Sequence, residues 1–453
     1  MKLIYKLLFF AASVTIVIGC RKTENLDVDY SSFNADNPQT NTALDQWLKT
    51  NFLDAYNIEV VYRYNRYYHG NTANVTPNKL EDIQPTMQAV LDGFIGPYRK
   101  VAGETFSKKY IPKEFVLFGS YSYADSNDPG VAGTAAGGRR ITLYGLNDYA
   151  PMPDGAFYFW DRQRIMHHEF GHILNQIIPI PTDFESISKG YYKQPYKDTP
   201  IDSAHKNGFV TSYASGVYTE DYAESISWLL INGQVWYDNW ANTASAAGKS
   251  RLIQKEQNVI TYYNNLGINF KELQREVQLY MKNTLNLNES KFSYWLTKKA
   301  FASMSLDFKS DVYLKYGSSD AFNQVYNQVK AAVNALPGYG LTFNLMKINF
   351  TSATTVNLQI SFNQGANGYV ADYPFNMNVN STTGEVKFTP NGPWTGNATL
   401  LQASVQPMLD YLSNNTFVAD WLPVSVNADN YMKYGGFSVK GSPANYFYGP
   451  LSY

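Results

Sequence analysis

The chain has 453 residues, 44% of them hydrophobic and 17% charged, with 37 basic side chains against 38 acidic ones. At about 100–200 residues per domain this is two or three domains with room for a sizeable core. A formal net charge of -1 sets up no field that would gather a polyanion, which argues against nucleic acid as a partner. The hydrophobic content also excludes wholesale disorder. There are 37 tyrosines, a resource for sticky, hydrogen-bonding surfaces, but they identify no ligand.

The first residues read as a targeting segment. Lys2 and Lys6 form a positive start and Leu7 to Ile18 is almost wholly apolar, too short to cross a bilayer core that needs about 20 helical residues. It ends in Gly19-Cys20, and Cys20 is the only cysteine, so the chain forms no internal disulfide. A small residue directly before a lone cysteine resembles the lipobox of bacterial lipoproteins. That resemblance implies a signal peptide over 1–20, a lipid on Cys20 and anchoring to a membrane. Residues 21–42 are polar and read as a tether.

Structure is expected from residue 43, where Leu44, Trp47 and Leu48 recur at helical spacing. Ile58 to Tyr64, Phe115 to Phe118 and Arg139 to Tyr144 read as strands, and Met87 to Tyr98 as a helix. The Gly/Ala-rich stretch 130–138 lacks a Gly-Lys-Ser/Thr ending, so it reads as a flexible hairpin tip or lid, not a phosphate loop. Trp160 to Ile178 is the clearest helix, with Met166, Phe170, Ile173, Leu174 and Ile177 in one apolar stripe. A second runs from about Glu220 to Ile231, with Thr219 as its expected cap and Asn232-Gly233 as its end. Helices follow over Ile253 to Asn264, Phe270 to Asn283 and Ala321 to Leu336. After Pro337-Gly338 the pattern changes to alternating strands, interrupted by one helix near Leu400 to Leu412.

Three of the five histidines fall in His167-His168-Glu169-Phe170-Gly171-His172. His168 and His172 lie four apart on a helix, so both imidazoles can reach one zinc ion. Glu169, one residue further round, can reach the remaining coordination position and accept a proton from a water there. A catalytic zinc wants a third protein ligand. No histidine follows at short spacing, whereas Glu220 and Glu224 lie one turn apart on the second helix, after Thr211-Ser212-Tyr213. The dipole at the helix start favours an ionised Glu220. Asp221 is expected to point off that face into solvent. His167 is out of register and receives no role, and His69 and His205 read as lone histidines, the latter in a loop that can border the cleft.

H-E-F-G-H followed by T-S-Y, with glutamates seven and eleven residues beyond the tyrosine, resembles the gluzincin metallopeptidases, the lethal-factor-like group among them. The resemblance implies Glu220 as third zinc ligand, Glu224 as the group orienting a ligand histidine, and Tyr213 as the oxyanion donor. Each role fits general chemistry, since ligand histidines usually pair with a carboxylate and a phenol can donate to developing charge. Lipobox and site together also resemble the zinc metallohydrolase lipoproteins of Bacteroidetes that accompany outer-membrane nutrient import.

The expected fold class is therefore α+β. A zincin-like domain over 43–336, a mixed sheet with two site helices, precedes a smaller β-rich domain over 337–453. Arg139 to Tyr144 is the expected sheet edge, able to pair with an extended substrate. The expected function is a lipid-anchored zinc peptidase acting on a peptide or glycopeptide, with import proteins of the outer membrane as possible partners. The competing reading is a surface nutrient-binding lipoprotein whose zinc is not catalytic.

Overall fold

The computed structural model describes residues 41–125, 128, 130–422 and 431–453. The apolar leader, Cys20 and the tether up to residue 40 lie outside the described residues. The chain divides into a short unit, Met1–Trp47, and a large one, Leu48–Tyr453. Within the short unit, helix begins at Ala43, as the spacing of Leu44 and Trp47 predicts. The rest of the fold belongs to the large unit.

Four strands form a mixed sheet in the order β1-β2-β4-β3: Glu59–Val61 (β1), Glu114–Leu117 (β2), Gly133–Ala136 (β3) and Arg140–Leu143 (β4). β1, β2 and β4 run parallel, and β3 pairs antiparallel with β4. Phe115, Val116 and Leu117 are all buried, the unbroken apolar run of a strand covered on both faces. The expected edge is displaced by one strand. Arg140–Leu143 is paired on both sides, and the edge is β3, inside the stretch read as a flexible tip. The hairpin tip is there, as the turn at Gly137-Gly138 (φ +59° and +65°) between β3 and β4, whereas Gly133 answers to crowding. A Cβ at Gly133 would lie 2.4 Å from Ile165 Cγ2 and 3.3 Å from Glu169 Oε1, so only glycine lets the strand approach the helix behind it.

The span Met87 to Tyr98 is helical as expected, within one continuous helical path made of Leu80–Val90 (α1), a π-helical turn over Leu91–Ile95 and Gly96–Tyr110 (α2). Gly93 in that turn packs against the Gln163 side chain. The long helix Ala156–Ile177 (α3) buries Met166, Phe170, Ile173 and Leu174 completely. At about 1.5–3 kcal/mol per large apolar side chain, that stripe fixes how the helix sits under the sheet. Ile177, the stripe's last member, is 45% exposed and lies beside the β3–β4 turn at Gly138.

The second site helix, Tyr218–Thr243 (α4), starts after Val217, and no side chain caps it; Thr219 sits inside its first turn. Its first segment ends at Asn232-Gly233, as expected, and a second helical segment follows. The helical path breaks at Gly233 (φ +77°) and resumes to Thr243; the glycine packs against Gln278 and Met432. Helices Ala246–Asn265 (α5) and Phe270–Asn283 (α6) pack on α4, the latter with the bounds its periodicity predicts.

The C-terminal part is a closed eight-stranded barrel, a separate β-rich domain. Its strands are Ser303–Leu306 (β5), Leu341–Phe350 (β6), Thr355–Gln364 (β7), Asn367–Val379 (β8), Glu385–Pro390 (β9), Thr416–Trp421 (β10), Tyr434–Val439 (β11) and Ser442–Ser452 (β12). They close in the order β10-β11-β12-β5-β6-β7-β8-β9. The alternation read from β6 to β9 is the inward and outward alternation of the barrel wall. Helices Asp320–Asn334 (α7) and Asn397–Asn414 (α8) join its apolar core. The barrel reaches upstream of residue 337, since β5 pairs with β6 and β12. Four residues are too few to display an alternation, so the sequence does not announce this strand. Among the described residues no helix is long and apolar enough to cross a membrane.

Candidate metal centre

α3 and α4 run antiparallel, so rungs of paired side chains form along their seam. Trp160 Nε1 donates to Asn232 Oδ1 at one end, His168 meets Glu224 midway, and His172 meets Glu220 at the other end. His168 Nε2 and His172 Nε2 are 3.1 Å apart. Glu220 Oε2 lies 3.2 Å from the first and 3.1 Å from the second. Among the described residues this is the one group of three His, Cys, Asp or Glu side chains placed to hold a metal ion.

The donor set fits zinc. Ligand atoms about 2.0–2.1 Å from an ion at tetrahedral angles stand about 3.3 Å from each other, close to the three edges observed. The electrostatics fit too. Burial works against charge on His168, yet the carboxylates of Glu220 and Glu224 outweigh it and push its pKa up to about 10. Burial would raise the Glu220 carboxyl, but His168 and His172 hold it well below the usual carboxylate range. A pocket this negative suits a cation, which would take the place of the imidazole proton.

The neighbouring groups stand as follows. Glu169 is buried beside the β3 edge, and burial raises its pKa above that of an ordinary glutamate. Tyr213 is 38% exposed, its ring 5.9 Å from that of His168 and 4.9 Å from that of Tyr196. Burial and a hydrogen bond to Glu220 raise its pKa, so its hydroxyl keeps its proton across the neutral range. Glu224 is almost fully buried. Its Oε1 lies 2.9 Å from His168 Nδ1, while its Oε2 accepts from Thr211 Oγ1 (2.7 Å) and Trp228 Nε1 (3.1 Å). A cleft of about 350 Å³ opens beside His172, bordered by Asn175, Tyr218 and Thr219.

All six residues expected at the site thus converge on one place. Asp221 differs from expectation: it is fully buried and bonded to Lys255 Nζ and to the Tyr192 hydroxyl. A run of acidic residues hides such a partner, because Lys255 comes from α5. Arg164 and Trp228 were also missed. Each lies one helical turn from a site residue, which is the signal that would have found them. His205 stacks on Trp240 and contacts its carbonyl, away from the metal cluster. His69 pairs with Tyr64, and His167 is buried between Phe94 and Tyr98, where burial lowers its pKa to about 3.

Residues 37–271, just over half of the chain and including every residue of the cluster, match the family described as "Putative zinc-binding metallo-peptidase". The chain belongs to that family. Membership and the His-His-Glu cluster together give Zn2+ as the cofactor and a metallopeptidase as the broad class. A solved structure, described as that of a "putative zinc-binding metallo-peptidase" from Bacteroides caccae, is similar at 26% identity and a TM-score of 0.45. The similarity covers 54% of this chain and 94% of that one. No curated protein matches.

Proposed function

We propose that this member of the family is a gluzincin-type zinc peptidase, hydrolysing peptide bonds in a zincin-like domain. The reading rests on one observation: two imidazoles from α3 and one carboxylate from α4 form a triangle with edges of 3.1–3.2 Å. His168, His172 and Glu220 would hold the ion. Bound zinc polarises a substrate carbonyl and brings the pKa of a water near 7.

The remaining chemistry belongs to the chain. Glu169 takes the proton of the attacking water and later passes it to the leaving amine. Its burial and raised pKa bring it closer to the operating pH, which suits both steps. Tyr213 donates its hydroxyl proton in a hydrogen bond to the oxygen on which charge develops. Glu224 pairs with His168 Nδ1 and so fixes the tautomer whose Nε2 faces the cluster. The β3 edge, beside Glu169, offers backbone groups to an extended substrate.

Lys2, Lys6, the apolar run Leu7 to Ile18 and Gly19-Cys20 support a lipid anchor on Cys20. We place the protein in the cell envelope, as an outer-membrane lipoprotein working beside nutrient-import proteins on peptide or glycopeptide substrates. Labelled palmitate should enter the wild type and not Cys20→Ala.

The deciding experiment for the activity is a peptide-library digest, with and without a zinc chelator, read by mass spectrometry. Cleavage that stops with chelator and returns with zinc supports the proposal. Zinc-loaded protein that cleaves nothing favours a binding protein.

A further inference from the structure

The seam between α3 and α4 does not stop at the metal cluster. Phe157, Asp161, Arg164, His168 and His172 follow each other at three- and four-residue steps, so they share one face of α3. Arg164 is held by Asp161 (2.8 Å) and lies 3.6 Å from Glu224. Beyond it the face becomes aromatic. Trp228, whose indole N–H is spent on Glu224, meets Trp160 edge-on at 6.0 Å and Trp236 at 4.9 Å. Trp160 in turn stacks on Phe157 at 5.6 Å, and Phe157 is 73% exposed.

Phe157, Trp160 and Trp236 border a cavity of about 440 Å³ whose other walls include Ile231, Met281 and Leu287 and the polar Asn232 and Ser290. The N–H of Trp160 is satisfied by Asn232, so that wall offers an apolar surface. The exposed Glu289 stands at the cavity and disfavours an acidic occupant. Trp160 is eight residues before His168, about 12 Å along the helix axis. An extended peptide advances about 3.3 Å per residue, so that distance is three to four residues of substrate.

We propose that the cavity between Trp160 and Trp236 is a specificity subsite that takes a large apolar, preferably aromatic, side chain three or four residues from the bond that is cut. The inference rests on the peptidase reading for its register, and the cavity itself stands apart from that reading. A peptide side chain is favoured over a flat partner surface because the walls enclose a cavity and Trp160 lies on the metal-bearing face of α3, in step with Arg164, His168 and His172.

Two measurements test it, on wild type and on Phe157→Ala and Trp236→Ala, each first checked for an unchanged melting profile. Phe157 is so exposed that its loss should leave the fold intact. In the peptide-library digest, wild type should show phenylalanine, tryptophan or leucine enriched about fivefold or more at the third or fourth residue on one side of the cut. The variants should lose that enrichment while cutting alanine-containing peptides as before. Cleavage with no such enrichment, or enrichment unchanged in both variants, overturns the subsite.

The second measurement is binding of two acetylated, amidated octapeptides to zinc-loaded Glu169→Gln, followed by tryptophan fluorescence. One carries a single phenylalanine in a glycine and serine background, the other alanine at that position. At least tenfold tighter binding of the first, abolished by adding Phe157→Ala or Trp236→Ala, supports the subsite even where wild type cuts nothing and the peptidase reading falls. Equal binding of the two peptides overturns the subsite whatever the digest shows.

Discussion

Lys255 and Asp221, the latter next in sequence to Glu220, are both fully buried, and their charged atoms lie 2.8 Å apart. The Lys255 ammonium also donates to the carbonyl of Gly208 and lies over the Phe209 ring. The pair therefore ties the first turn of α4, which carries Glu220, to α5. Removing one partner leaves the other charge buried alone. Lys255→Met should cost about 3–5 kcal/mol in urea unfolding. Lys255→Met with Asp221→Leu should recover much of that stability, because both charges then go. An unaltered midpoint in the single variant would contradict this account.

Glu169→Gln should keep one zinc per chain and lower kcat by about 10²–10⁴-fold. Metal content by mass spectrometry, set beside turnover, separates loss of the proton acceptor from loss of the ion.

Glu220→Gln and Glu224→Gln should differ in kind. The first removes a ligand and should empty the site during ordinary purification. The second leaves all three ligands and should weaken zinc about 10–100-fold, measured in a chelator competition.

Gly133→Val should damage both stability and turnover. Its side chain would meet Ile165 and the Glu169 carboxylate, and overpacking of this kind costs about 1–3 kcal/mol. Restoring space with Ile165→Ala should return part of the activity.

Asp238 supplies a pH signature away from the metal. Burial raises its pKa to about 6, against an ordinary value near 3.8. The folded state therefore holds this proton more tightly than the unfolded chain. Its contribution is full below the unfolded value and is lost as pH rises towards about 6. Asp238→Asn should stabilise the protein at pH 7 by about 1–3 kcal/mol and bring little at pH 4, seen as a pH-dependent difference in Tm.

The site was legible because its parts are local. His168, Glu169 and His172 sit within one helical turn and a half, and the glutamate pair within another, so spacing alone sets which atoms face which way. The bounds of Phe270–Asn283 were legible for the same reason. What escaped was long-range. Nothing near Asp221 points to Lys255 on another helix, and nothing in the run Gly133 to Ala136 says that Gly133 answers to Ile165 and Glu169. The four-residue β5 is a strand only because β6 and β12 flank it. Asn232-Gly233 carried a true break, but not whether the chain resumes helix after it, which the contacts of α4 with α6 decide.

Closure of the barrel has a bearing on how the protein handles other chains. Every strand of that cylinder has a neighbour on each side within the same ring, which removes whole free edge strands and leaves only overhangs, such as Asn367–Pro374 of β8 beyond the end of β9. Whole edge strands, with main-chain amides along their length, belong to the small sheet, whose β3 border runs alongside Glu169.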